Sequence, residues 1–189
     1  MKLHAILSDK KPDILDRWCI LVRETYPAQT ATMLGKVEDR FANPVEHFIR
    51  DMTGSALDHL LGEADLESVR EGIDRLIRIR TVQDFTPSQA AGVMFLVKRI
   101  VREDYGTIIR ERGLEWELLE WESEVDRVAL LAFEVYTVCL STLYEIRVRE
   151  IRNRSAVLFK RFQYADDDPV LRCDPEVPEE SDETRDEVS

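Results

Sequence analysis

The chain has 189 residues, 44% of them hydrophobic, which is enough for one domain with a real core and an appendage. Its net charge is −12, of which −9 falls in residues 165–189 and only −3 in residues 1–164. A nearly neutral body argues against a nucleic-acid binder, whose affinity comes from neutralising phosphates. Three distant cysteines, Cys19, Cys139 and Cys173, form neither a CxxC pair nor an even-numbered framework, so reduced thiols of a cytoplasmic protein are expected.

The opening MKLHAILSDKKPD has too short an apolar run for a signal peptide, and His4 is expected in a mobile N-terminus. Ile14, Trp18, Leu21 and Val22 recur at helical spacing and predict an amphipathic helix that stops near Tyr26-Pro27. A short helical piece follows, capped at Gly35. Asn43 as N-cap and Pro44 at the first helical position start the next helix, whose apolar face is Val45, Phe48, Ile49, Met52, Ala56 and Leu60, and Gly62 ends it. Asp65 caps a helix with Leu66, Val69, Ile73, Leu76 and Ile77 on its buried side.

The connection VQDF then interrupts two helices without a glycine and with two apolar side chains. Val82 and Phe85 are expected to lock it into the core, with Asp84 bonding amides at the positive start of the following helix. Gln83, Asp84 and Phe85 are also the candidate sensing loop. Thr86-Pro87-Ser88-Gln89 reads as a capping box that opens one helix to about Gly113, burying Ala90, Val93, Met94, Val97, Ile100, Val101 and Tyr105.

From Leu114 no proline or glycine occurs before Pro169, which predicts one long helix to about Arg154. Its run Val128–Tyr144 spans 17 residues, below the roughly 20 apolar residues of a membrane span, and reads as a buried helix. The seam Leu118, Trp121, Val125, Val128, Ala132, Val135 and Cys139 suits core packing or a helix–helix dimer contact. Arg147, Arg149, Arg152 and Arg154 near its end are candidate partner-docking residues. The acidic residues 165–189 are expected to be disordered. The fold class is all-α: residues 1–164 form a helical domain with a long C-terminal helix, and 165–189 a tail.

Candidate chemistry is sparse. No GxSxG, HExxH, P-loop or GxGxxG occurs, so no catalytic residue is assigned and no enzyme is expected. The acidic cluster after Gly113 suits the first turns of a helix. His47 and His59 fall on different faces of their helix, which argues against a joint metal site. His59, on the apolar face, is the one candidate haem ligand, set against a core-edge histidine with both nitrogens satisfied. Glu134, alone in an apolar run, calls for an ion pair, with Arg78 or Arg80 as the expected partner.

ETYPAQTATML, DRFANPVEHFI, LIRIRTVQDFTPSQAAGVMFLVKRIVRE and RVALLAFEVYTVCLSTLYEIRVREI fall in order between about Ile14 and Ile151. Together they resemble the N-terminal domain of RsbRD-type RsbT co-antagonist proteins. The resemblance implies a globin-like helical sensor domain of stress-response regulation that generally lacks haem and dimerises. In such regulators a STAS domain follows a long helix; here only the acidic tail follows, so the chain resembles a stand-alone member and the scaffolding output does not carry over.

Three functions are therefore weighed. The first is a non-enzymatic, homodimeric signalling module without cofactor or membrane span, acting on a protein partner through its long helix. The second is a haem-binding gas or redox sensor using His59. The third is an accessory protein of a respiratory electron-transfer complex, docking through the basic helix end or the tail.

Overall fold

The structure is a computed structural model that describes residues 2–35 and 43–166, with side chains up to residue 157. Every described element is helical: α1 (Lys2–Asp9), α2 (Lys11–Glu24), α3 (Ala28–Leu34), α4 (Pro44–Leu60), α5 (Leu66–Val82), α6 (Pro87–Ala91), a 3₁₀ turn (Gly92–Phe95), α7 (Leu96–Glu111) and α8 (Glu115–Asp166). The all-α class and the long final helix are as expected; α8 continues twelve residues past Arg154. The chain divides into two units, Met1–Glu145 and Ile146–Ser189. Of the expected tail, residues 165 and 166 close α8, and 167–189 lie outside the described residues.

Local signals start and stop the helices where the sequence places them. Asn43 Oδ1 accepts from the Glu46 amide at 3.2 Å, and Asp65 Oδ1 from the Ser68 amide at 2.9 Å. The Thr86–Gln89 capping box is closed in both directions. Gly62 (φ +78) and Gly113 (φ +65) take the left-handed position after α4 and α7. In each case the next amide returns to the last turn: Glu63 to Asp58 at 2.8 Å, Leu114 to Ile109 at 3.0 Å.

The core is built from the periodic apolar positions. Ile14, Trp18 and Val22 of α2, Ile49, Met52 and Ala56 of α4, Val69, Ile73, Leu76 and Ile77 of α5, and Val97, Ile100 and Val101 of α7 are buried. Trp18 Nε1 donates to the Val93 carbonyl at 2.9 Å and Trp121 Nε1 to that of Leu60 at 3.1 Å, so neither indole is buried unsatisfied. Where α4 meets α5, a Cβ on Gly72 would lie 3.2 Å from Met52 Cα and 3.3 Å from the Asp51 carbonyl oxygen. A methyl there would force the α4 backbone to give by a few tenths of an ångström and the Ser55 hydroxyl, 2.5 Å away, to move.

Several expectations are corrected. The N-terminus is helical, with Leu3 and Leu7 fully buried and the Leu3 amide bonded to Glu117 at 2.9 Å, so His4 sits on a packed helix. Leu66, at the open first position of α5, is 46% exposed. The helix expected from Pro87 to Gly113 is broken by the 3₁₀ turn at Gly92–Phe95. α8 is not buried all round either. Trp121, Val125, Val128, Ala132 and Val135 of the predicted seam are buried, with Leu118 and Cys139 packed on their edge. Leu130, Phe133, Val138 and Tyr144 are at least half exposed. By length and composition this helix also qualifies as a membrane-crossing candidate, with mean hydropathy 1.4 in its best window and 33% of that window buried in the protein.

Candidate functional site

The turn after α5 is a glycine-type helix stop built without glycine. Asp84 occupies the left-handed position at φ +59, the one described non-glycine residue with positive φ. The Phe85 amide returns to the Arg80 carbonyl at 3.1 Å and the Asp84 amide to that of Thr81 at 3.3 Å, the bonding seen after Gly62 and Gly113. Aspartate tolerates this conformation better than most residues. Asp84 therefore terminates α5 and does not cap α6, whose start Thr86 and Gln89 satisfy between themselves.

Of the two apolar residues in the connection, only Phe85 reaches the core. Val82 is 66% exposed, because about 100° per residue places it opposite Ile73 on α5. The Phe85 ring meets the Tyr26 ring edge-on at 5.2 Å, and the Arg80 guanidinium lies 4.8 Å and 4.5 Å from the two ring centres. The Phe85 carbonyl accepts the Tyr136 hydroxyl of α8 at 2.9 Å. The turn is thus pinned by rings to Tyr26, just after α2, and to α8 by one hydrogen bond, while Gln83 and Asp84 face solvent.

Arg80 is the centre of this arrangement and is fully buried. Its Nε donates to Tyr26 Oη at 3.3 Å, Nη1 to the Gln89 carbonyl at 3.0 Å and Nη2 to Thr25 Oγ1. Burial lowers its pKa, with Tyr26 opposing the shift. Among the described residues no carboxylate pairs with it, so two aromatic faces and three neutral oxygens offset the cost of burying the charge. The sequence reading missed this role, although Arg80 follows Ile73, Leu76 and Ile77 at helical spacing, a cation on a buried face.

The other candidates lie apart from it. His59 sits at the edge of the core with Nδ1 3.1 Å from the Ala64 carbonyl and Nε2 3.1 Å from Glu124 Oε1, so both ring nitrogens face protein oxygens. His47 contacts Asp51 at 3.2 Å, and His4 lines a cleft beside His59. Among the described residues no group of three or more histidine, cysteine or acidic side chains could hold a metal ion. Glu134 pairs at 3.2 Å with Arg70, not with Arg78 or Arg80; it is 62% exposed because its position lies off the buried stripe. Arg147, Arg149, Arg152 and Arg154 are all exposed on α8, the last bonded to Glu150 at 3.1 Å.

No curated protein and no solved structure matches the chain. The family model for the RsbT co-antagonist protein rsbRD N-terminal domain matches residues 12–151, from the start of α2 through most of α8. That family suggests a sensory or regulatory role in stress signalling. The match covers both the pinned turn and the stretch of α8 that holds it, and on this span the chain belongs to the RsbT co-antagonist protein rsbRD N-terminal domain family.

Proposed function

We propose that the chain is a cytoplasmic, non-enzymatic sensory module that works as a homodimer and passes its signal through α8 to a protein partner. The observation that carries this reading is the two-sided character of α8. One flank fills the core through Trp121, Val125, Val128, Ala132 and Val135. The other presents Leu130, Phe133 and Tyr144, each at least half exposed, with Thr137 and Leu140 between them. These five positions alternate by three and four residues, the spacing of a helix that pairs with another helix. Exposed large apolar side chains in a row mark an interaction surface. The family's regulatory character supports the same reading, and the arginines from Arg147 to Arg154 are the proposed contacts for the partner.

Sedimentation of the purified chain against concentration tests it. The wild type is expected to sediment as a dimer. Thr137→Arg with Tyr144→Arg, both at solvent-facing positions, is expected to give a folded monomer. A wild type that stays monomeric at every concentration, or a double variant that stays dimeric, overturns the α8 seam.

A further inference from the structure

Beside the exposed flank of α8 lies an open groove of about 610 Å³, within the roughly 300–1,000 Å³ range of small-molecule sites. One wall comes from α6 and the 3₁₀ turn, with Ala91, Gly92 and Phe95; the other from α8, with Ala129, Leu130 and Phe133. Small residues thus alternate with bulky ones on both walls: Phe95, Leu130 and Phe133 are 47%, 68% and 50% exposed beside nearly buried Ala91 and Ala129. The lining holds no charged side chain, and Ser88 contributes its one hydroxyl.

We propose that this groove binds a neutral, mainly hydrocarbon small molecule carrying at most one hydrogen-bonding group, which Ser88 meets. The inference deepens the sensory reading by naming the class of molecule sensed, and rests on that reading only for its consequence. Charge complementarity sets the class, because an ion would enter a lining that offers it no counter-charge and would lose its hydration. Size sets the scale. Each helical wall is one turn long, since Ala129 to Phe133 rises only about 6 Å. A docked helix needs anchors over two turns or more. Gly92 supplies the space: it lines the groove, and a Cβ built on it meets no atom within 4 Å. The 3₁₀ break falls at this residue, a feature that often marks functional segments inside helices.

The position also allows a clean test. Gly92 has φ −61 and ψ −18, a conformation any residue adopts, so Gly92→Leu fills the groove without straining the backbone. Nile red serves as the neutral apolar probe, followed by fluorescence titration of the full chain. The expected result is saturable binding of one dye per chain in the wild type and at least tenfold weaker binding in Gly92→Leu. A Leu66→Ser control, at an exposed apolar residue outside the groove, should leave binding unchanged. Circular dichroism confirms that Gly92→Leu folds, and Ser88→Ala supplies a second variant that leaves the apolar walls intact.

Sedimentation separates this inference from the proposed dimer, because Thr137→Arg with Tyr144→Arg changes no groove residue, so the monomeric variant should still bind one dye per chain. Absence of saturable binding to the wild type overturns the groove as a ligand site. So does equal binding by Gly92→Leu. Dimer loss in Gly92→Leu without any dye effect also overturns it, and shows that a second copy fills the groove instead.

Discussion

Replacing Tyr136 by phenylalanine removes one oxygen atom and tests whether α8 holds the turn. The ring is 5% exposed, and its hydroxyl donates to the Phe85 carbonyl at 2.9 Å. Desolvation raises the phenol's pKa, with Tyr144 and Asp84 adding to the shift, so the group remains a protonated donor at neutral pH. A neutral hydrogen bond contributes about 0.5–1.5 kcal/mol net, and leaving its acceptor buried and dry costs about 1–3 kcal/mol. Because Phe85 is only partly buried, water can reach part of the vacated site, and the expected loss is about 1 kcal/mol. Urea unfolding reads the global value. Native-state hydrogen exchange reads the local one through the Asp84 and Phe85 amides, whose acceptors are the Thr81 and Arg80 carbonyls. A local opening cheaper by about 1 kcal/mol speeds their exchange about fivefold. Tyr144→Phe, at a 56% exposed ring, is the control and should change neither. Unchanged stability in Tyr136→Phe, with unchanged exchange at both amides, refutes the claim that α8 holds the turn.

Gly72→Ala should destabilise by about 1–3 kcal/mol, because the fixed backbone of α4 stands where its methyl must go. Gly54→Ala, with nothing within 4 Å of its Cβ, should stabilise by up to about 1 kcal/mol through helix propensity; thermal melts compare the two. At Asp84 the left-handed backbone predicts opposite signs: Asp84→Gly should be neutral or stabilising by under about 1 kcal/mol, and Asp84→Val destabilising by more than that, both read by urea unfolding. Burial raises the phenol pKa values of Tyr105 and Tyr136 above their unfolded values. The unfolded chain therefore gives up these protons first. This contribution to stability is complete below about pH 10 and is lost as pH rises through the folded values, a fall that urea midpoints across the alkaline range should show.

Helix existence was legible wherever local chemistry and periodicity agreed. Asn43-Pro44, Asp65 and Thr86–Gln89 each declare a helix start by side-chain oxygens and proline that need no tertiary partner. Trp18, Ile73 and Val101 declare burial by spacing alone. What failed depended on partners distant in sequence. An acid just before a helix suits a cap, yet at Asp84 the stop of α5 claims the residue first. Glu134 has arginines near the turn as candidate partners in sequence, whereas the face of α8 it occupies meets Arg70. The run from Val128 to Tyr144 is apolar enough to look buried all round, and composition cannot say that only one flank finds a partner within the chain. The groove was invisible for the same reason, since its walls come from residues about 35 positions apart.

These contacts also bear on how α8 can transmit anything. Its exposed ion pairs, with Arg70 through Glu134 and with Lys98 through Asp126, are individually worth about 0–1 kcal/mol and can exchange partners at small cost. Two uncharged bonds differ: the buried one from Trp121 to the Leu60 carbonyl, and the partly buried one from Tyr136 to the Phe85 carbonyl. They stand fifteen residues apart, about 22 Å along the helix, and fix its register against α4 at one point and against the turn at the other. A slip by one turn would strand both carbonyls and both donors, so sliding is the expensive motion. Releasing the Tyr136 hydroxyl alone costs about 1 kcal/mol and unties the turn from α8, one helical turn from Phe133 of the groove wall, while the buried stripe of α8 stays packed. In the proposed sensory reading, a ligand that favours one state of this bond by that amount would shift its population about fivefold, and a second copy seated on the exposed flank would read the shift. On that reading Tyr136→Phe should alter the ligand dependence of self-association, while Leu66→Ser, exposed and outside both the groove and the flank, should not.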